Sequence, residues 1–92
     1  MTSPSQQWHA YLLPCADGTL YCGVTTDLAR RLAEHQAGTA SKYTRTRLPV
    51  ALLAHAPCAD KSAALRLELA VKSKPRDSKL TFLLSQSGAE RM

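Results

Sequence analysis

The sequence lacks the cysteine pattern of a disulfide framework or a zinc site. It contains three cysteines, an odd number, with no Cys-x-x-Cys spacing between them. We expect Cys15, Cys22 and Cys58 to act as small apolar side chains. The chain also lacks any apolar run near the roughly 20 residues that span a bilayer. The first seven residues have neither the basic residues nor the apolar core of a secretory signal, so the cytoplasm is the expected location.

Acidic residues are also scarce relative to basic ones. The chain has 12 Lys and Arg against 7 Asp and Glu, for a formal charge of +5. This excess favours polyanionic partners, either nucleic acid or an anionic membrane surface, although many small proteins are mildly basic. A length of 92 residues with 45% apolar residues fits one compact domain, predicted to span 1–92 with its core at about 8–84.

The hydrophobic pattern and the turn residues predict the element order β-β-α-β-α-α. The predicted strands are 8–13, 20–24 and 49–56, the first two joined by a tight turn at Asp17-Gly18. A first helix begins at a cap on Thr26 or Asp27 and ends at Gly38, a second runs from a cap at Asp60 to about Lys74, and a third covers about 76–84. Residues 1–7, the polar basic loop 39–47 and the last eight residues are predicted to be irregular. The fold class is therefore α/β of the α+β kind, with a small, mainly antiparallel three-stranded sheet flanked by helices.

The first helix has an apolar face with two polar residues at its edge. At 100° per residue the core-facing positions are Leu28, Ala29, Leu32 and Gln36, and the solvent-facing ones are Arg30 and Glu34. Arg31 and His35 are four residues apart, so they lie together on one flank of the apolar stripe. Both are expected at the edge of the core.

The second helix contains an acidic residue within its apolar arc. That arc comprises Ala64, Leu65, Leu67, Leu69 and Val71, with Glu68 near its middle. A carboxylate there loses hydration and needs a metal ion, a cationic partner or partial exposure. The simplest interpretation is a local pair with Lys72, four residues on.

The predicted hairpin contains Tyr11 and Tyr21, which flank the turn. Tyrosines in a small sheet usually serve packing, but both can project from the same face toward the following helix. Gly23 leaves a strand position without a side chain. Such a glycine indicates a bulge or a close approach of backbone or ligand.

These residues together resemble the GIY-YIG nuclease superfamily, in particular its small stand-alone UPF0213/YhbQ-like branch. Tyr21-Cys22-Gly23 resembles the second half of the motif, and His9-Ala10-Tyr11 lies at the family's spacing for the first half. Arg31, His35 and Glu68 fall at positions of the family's arginine, histidine and metal-binding glutamate. The first triplet keeps only its tyrosine, and the chain has no asparagine, which many family nucleases use in a late motif.

The resemblance implies a metal-dependent endonuclease that hydrolyses phosphodiester bonds in DNA or RNA with low sequence specificity. Glu68 would hold one divalent ion, Mg²⁺ or Mn²⁺, and Arg31 would bind the scissile phosphate. Tyr11 would be the general base and Tyr21 would orient water or phosphate, with the reverse assignment open. His35 would share proton transfer or contact the phosphate.

The basic loop offers a path for nucleic acid. Lys42, Arg45 and Arg47 would contact the backbone and Tyr43 would stack on a base, unless the loop is simply solvated. A second basic cluster is formed by Lys72, Lys74, Arg76 and Lys79, and its simplest role is to keep the domain soluble. The competing hypotheses are a nucleic-acid-binding module without efficient catalysis, motivated by the two departures from the motif, and an adaptor for a protein or a membrane surface. Nucleic acid is the expected partner, with no membrane and with a protein partner for targeting as a further possibility.

Overall fold

The computed structural model describes residues 7–92, so most of the segment 1–7 that we predict to be loose lies outside the described residues. Four antiparallel strands form one sheet in the order β2-β1-β3-β4. The strands are β1 (Trp8–Pro14), β2 (Leu20–Thr25), β3 (Ala54–Cys58) and β4 (Glu90–Arg91). The helices are α1 (Leu28–Gln36), α2 (Lys42–Arg45), α3 (Lys61–Lys72) and α4 (Arg76–Leu84). The α+β class and the antiparallel sheet predicted from the sequence are confirmed.

The predicted hairpin forms through a polar turn. The Asp17 carboxylate accepts hydrogen bonds from the backbone N–H of Thr19 at 3.1 Å and from its hydroxyl at 2.6 Å. Gly18 has a φ of +85°, a conformation that side chains rarely adopt. The turn sets a register in which Tyr11 lies opposite Gly23, and Leu12 opposite Cys22.

The alternation of side chains along the strands divides the core into two clusters, one on each face of the sheet. Ala10, Leu12 and Cys22 pack with residues of α3 and α4. Tyr11, Leu13 and Tyr21 pack on the other face, with residues of α1 and of the segment before β3. We call these the α3 face and the α1 face. Predicted functional residues can contact one another directly only if their side chains lie on the same face of the sheet.

The helices begin where the sequence places their caps. The Asp27 carboxylate accepts from the Arg30 N–H, and the Asp60 carboxylate accepts from the Ala63 N–H. Beyond Lys72, the ammonium of Lys79 donates to the carbonyl oxygens of Val71 and Lys72, which satisfies the end of α3.

Three details of the predicted order are wrong. The third strand begins at Ala54 rather than at 49, because the apolar residues before it cover the α1 face, where Val50 is buried. The end of the chain is not wholly irregular, since Glu90 and Arg91 pair with β3 as a fourth strand. The basic loop contains the short helix α2, capped by the Ser41 hydroxyl. None of the helices within residues 7–92 is both long and apolar enough to cross a membrane.

Candidate active site

A chain of buried polar side chains connects the first strand to the loop after α1. The hydroxyl of Tyr11 lies 2.8 Å from Nε2 of His35, and Nδ1 of His35 lies 2.8 Å from the hydroxyl of Thr44. Tyr11 is 2% exposed, and His35 and Thr44 are fully buried. The helical pattern predicted His35 at the edge of the core, but the helix α2 covers it and completes its burial.

The hydrogen bonds of this chain have a consistent direction. The Thr44 hydroxyl donates to the Ser41 carbonyl at 3.4 Å, so it accepts from Nδ1–H of His35. Nε2 is then the acceptor, and the Tyr11 phenol donates to it. Burial and the nearby Arg31 guanidinium lower the pKa of His35, which keeps this neutral tautomer. Burial raises the pKa of Tyr11 to about 12, in spite of the opposing effect of Arg31.

The neutral state of His35 predicts a loss of stability in mild acid. Its folded pKa lies below the unfolded value, so the unfolded chain binds the proton first and stability falls as the pH drops below about 6.5. One such group contributes a slope of at most about 1.4 kcal/mol per pH unit. Glu34 opposes this shift, but burial and Arg31 outweigh it.

Denaturation of the wild type and of His35→Gln between pH 7.5 and 5 measures this contribution. The variant is expected to be less stable at pH 7.5 but to lose less stability on acidification. His9, whose pKa is also lowered by burial and by His55, supplies part of the wild-type slope, so His9→Gln is the matched control. Equal slopes for the wild type and His35→Gln would contradict a neutral, buried His35.

Gly23 makes room for the Tyr11 phenol. A Cβ on Gly23 would lie 2.5 Å from the Tyr11 hydroxyl oxygen and 2.7 Å from its Cζ. Atoms at those separations overlap. Only glycine at position 23 of β2 therefore leaves room for the Tyr11 ring, which extends from β1 over this position. The expected close approach is confirmed, with a side chain as the approaching group, and the strand pairing continues past it without a bulge.

Arg31 lies beside this buried chain and remains partly exposed. Its Nη1 donates to Glu34 Oε1 at 3.0 Å, and its side chain is 37% exposed. It lies close enough to Tyr11 to lower the pKa of that phenol. Glu34 also pairs with Arg30 at 3.2 Å, so one carboxylate orients two arginines on α1. Arg31 keeps further N–H donors for a ligand, because a guanidinium carries five.

Tyr21 lies between the buried chain and the basic loop. Its ring centroid is 5.1 Å from that of His35, 6.4 Å from that of Tyr11 and 5.8 Å from that of Tyr43. Tyr21 is only half-buried, unlike Tyr11. The predicted approach of the two tyrosines on one face is therefore present in the structure.

The basic loop is more ordered than the sequence suggested. The guanidinium of Arg47 lies 3.9 Å from the Tyr43 ring centroid, and its Nε pairs with Asp17 at 2.8 Å. A base can stack on the covered face of Tyr43 only if Arg47 moves away. Lys42 and Arg45 are exposed.

Glu68 does not join these residues. It lies on α3, which packs on the α3 face, where burial and then the charge of Glu68 raise the pKa of Cys22. Its carboxylate is 3.2 Å from Lys72 Nζ, and its side chain is 17% exposed. The local pair with Lys72 is therefore present. The apolar arc of α3 is also narrower than predicted, since Leu65 and Leu69 are exposed.

Comparison with known proteins places this geometry in a family. The sequence profile of the GIY-YIG catalytic domain matches residues 7–81. The chain belongs to the GIY-YIG family. A UPF0213 protein from Cupriavidus pinatubonensis is 48% identical over 80 residues, which cover 87% of this chain and 89% of that protein. A UPF0213 protein from Nitratidesulfovibrio vulgaris is 49% identical over 81 residues, covering 88% of this chain and 74% of that protein.

Two solution NMR structures resemble this GIY-YIG chain. The protein EF2693 from E. faecalis has a TM-score of 0.61 at 35% identity, covering 91% of this chain and 90% of that one. The UPF0213 protein BH0048 from Bacillus halodurans has a TM-score of 0.52 at 40% identity, covering 89% and 86% of the two chains. The UPF0213 branch suggested by the sequence is thereby confirmed. The family match indicates a nuclease domain.

Two residues of the candidate site were not predicted from the sequence. Thr44, on α2 and nine residues downstream, fixes His35, and nothing in the sequence signals that contact. Glu34 was assigned to solvent, yet it orients Arg31. The spacing of three and four residues from Arg31 and Arg30 was a signal that could have revealed it.

Proposed function

We propose that this GIY-YIG chain is an endonuclease that hydrolyses phosphodiester bonds in DNA or RNA with low sequence specificity. The observation that supports this most is the position of Arg31. Its partly exposed guanidinium lies beside Tyr11 and is held by Glu34, on the face that also carries Tyr21 and His35. A fixed arginine next to phenols is suited to bind a phosphodiester and the water that attacks it.

Phosphodiester hydrolysis requires that the charge of the phosphate be neutralised as the attacking water loses a proton. Arg31 supplies a permanent charge and a planar set of donors that matches phosphate oxygens. The exposed Lys42 and Arg45 add positive charge close to the same face, which draws the backbone of a nucleic acid toward the site.

The different burial of the two tyrosines argues against Tyr11 as the general base and favours Tyr21 in its place. Tyr11 is 2% exposed, it donates its proton to His35, and its pKa is raised to about 12, so it is a poor base for an external water. We assign Tyr11 and His35 as positioning residues, which hold Arg31 and Tyr21 in place. Tyr21, whose ring is half-buried, is then the phenol that contacts water or phosphate.

The donor chemistry of Glu68 fits a divalent ion, although its position is not next to the phenols. Residues 7–92 contain no group of three His, Cys, Asp or Glu side chains arranged to hold a metal. Mg²⁺ often uses one or two carboxylates and fills its other positions with waters and phosphate oxygens, and half-buried Glu68 meets that requirement. When bound, such an ion would neutralise phosphate charge and acidify a bound water.

A metal at Glu68 would have two structural consequences. Lys72 must give up its pairing with the carboxylate as the ion takes its place. Because Glu68 and Tyr11 lie on opposite faces, a substrate can reach both the ion and Arg31 only around β2, the strand at the edge of the sheet.

Glu68→Gln is expected to reduce Mg²⁺-dependent cleavage by roughly 10²-fold or more. Losses of this size follow the removal of a group that stabilises charge in the transition state. The amide keeps the shape of the side chain, so nucleic-acid binding is expected to persist. Glu90→Gln, an exposed position on β4, is the matched control and is expected to cut at the wild-type rate. Wild-type cleavage by Glu68→Gln would show that the metal is held elsewhere.

A panel of labelled DNA and RNA structures, incubated with Mg²⁺, Mn²⁺ or EDTA, tests the proposed activity directly. Cleavage with a metal and none with EDTA supports the endonuclease. Salt-sensitive binding without cleavage over hours would instead favour a binding module. That second function is motivated by the pairing of Glu68 with Lys72, away from Arg31.

A further inference from the structure

A pocket next to Arg31 has no role in the function proposed so far. Its volume is about 210 Å³, and it opens between the end of β2, the first turns of α1 and the start of β1. Trp8, Thr26, Arg30 and Arg31 are among its lining residues. Trp8 is the only tryptophan of the chain and is half-buried. Trp8 also packs against the core of the α3 face, and the ammonium of Lys61 lies 5.8 Å from its ring centroid. The pocket therefore reaches from Trp8, at the end of the sheet, to the arginine that we assign to the phosphate.

The charges in the pocket argue against a second phosphate. Arg30 and Arg31 are matched by the carboxylates of Glu34 and Asp27, so the walls have no net charge. Glu34 is bound by both arginines, and Asp27 accepts from the Arg30 N–H. A neutral, flat and polar-edged group suits such walls better than an anion does.

The size of the pocket limits the occupant further. It is smaller than the roughly 300–1,000 Å³ of pockets that enclose drug-sized molecules, so it fits one ring system rather than a whole nucleotide. A nucleobase is a neutral ring system of this kind, and aromatic side chains bind bases of any sequence by stacking. A base within a duplex is already stacked and paired, and it cannot enter a pocket without being unpaired.

We propose that this pocket binds an unpaired nucleobase adjacent to the phosphate held by Arg31. The preferred substrates are then single strands, or duplexes with unpaired or extruded nucleotides, over fully paired duplexes. This inference rests on the proposed function, because it takes Arg31 as the phosphate-binding residue. Trp8 contacts the base, and Arg31 connects the pocket to the site of cleavage.

The single tryptophan gives a direct measurement that requires no cleavage. The protein is titrated in EDTA with a single-stranded 12-nucleotide DNA, with an RNA of the same sequence, and with the corresponding blunt DNA duplex. Tryptophan fluorescence reports on contact with Trp8, and the anisotropy of an end-labelled copy reports on binding independently. We expect single strands to quench the fluorescence as they bind, and the duplex to bind more weakly with little quenching.

Two variants test the pocket itself. Thr26 lines the pocket, and the structure gives its side chain no hydrogen bond, so Thr26→Phe fills the pocket without breaking one. We expect this variant to suppress the fluorescence quenching and to weaken single-strand binding by about 5- to 100-fold. Ala29, which we predicted to face the core, is instead exposed on α1 and lies outside the pocket. Ala29→Phe therefore adds the same ring elsewhere and is expected to bind as the wild type does. Trp8→Leu should weaken binding as Thr26→Phe does, and Trp8→Phe should restore most of it; thermal unfolding checks that each variant is folded.

Different results would refute the base pocket and the proposed endonuclease. If anisotropy shows tight binding of single strands while the fluorescence is unchanged and folded Thr26→Phe binds normally, the base pocket is refuted and the proposed function stands. If anisotropy shows no binding to any strand or duplex, the proposed function fails and this inference fails with it.

Discussion

Replacing Arg31 by alanine is expected to reduce cleavage by roughly 10²–10³-fold, the effect of removing one group that stabilises developing charge in an active site. The fold is expected to persist, since the side chain is 37% exposed and its one ion pair is with Glu34 on the same helix. Arg31→Lys retains the charge but loses the planar donors, so it should recover only part of the activity. Rates on a labelled substrate under single-turnover conditions, with circular dichroism as a check of folding, measure the effect.

Arg66→Ala is the matched control for the loss of one positive charge. Arg66 is exposed on α3 and donates to the Ser62 hydroxyl at 2.7 Å, with no role in the proposed site. It should cut within a few-fold of the wild type. If Arg31→Ala and Arg66→Ala have the same rate, the phosphate is not bound at Arg31, and the assignment of the site to the α1 face is wrong.

The sequence predicted the residues of the α1 face better than it predicted the relation between the two faces. The strand pattern predicted that Tyr11 and Tyr21 share a face toward the following helix, and the helical pattern placed Arg31 at the edge of that helix's apolar stripe. The family resemblance then grouped the three residues in one site. Glu68 is far along the chain. Its place depends on which face of the sheet α3 covers, and a helical wheel does not contain that information.

The burial of His35 shows a similar limit. Its helical position predicted the edge of the core, and the helix alone would leave it there. A separate segment, α2, covers the imidazole and supplies the Thr44 hydroxyl. The sequence of that segment is polar and basic, which is typical of a solvated loop, so its contact with the core had no hydrophobic signature.

The fourth strand was missed for a different reason. It has two residues, both charged and exposed, and a strand of that length has no recognisable alternation. It forms because the backbone beyond Gly88 reaches β3, and the pairing continues just outside both strands, where the N–H of Met92 donates to the carbonyl of Leu53 at 2.8 Å. Such pairing is decided by tertiary structure.

Gly23→Ala is expected to destabilise the protein, although an ordinary glycine-to-alanine exchange in this backbone conformation would do the reverse. Gly23 does not have a positive φ, so alanine would normally stabilise by about 0.4–1 kcal/mol through the unfolded state. Here the new methyl group overlaps the Tyr11 phenol. Overpacking a core costs about 1–3 kcal/mol, and a ring that moves away leaves His35 without its partner, at a further cost of about 1–3 kcal/mol.

A double-mutant cycle with Tyr11→Leu separates the overlap from any general intolerance of the strand. Leucine removes the two closest atoms that the methyl group meets and leaves Tyr21 Cε2 at 3.1 Å, so in that background Gly23→Ala should cost much less stability than in the wild type. Urea denaturation of the four proteins gives the coupling energy. An equal loss of stability in both backgrounds would mean that Gly23 is required for its own backbone rather than for the phenol. A dependence on Tyr11 would explain physically why a glycine follows the second tyrosine by two residues: it leaves the space in which the first tyrosine reaches His35.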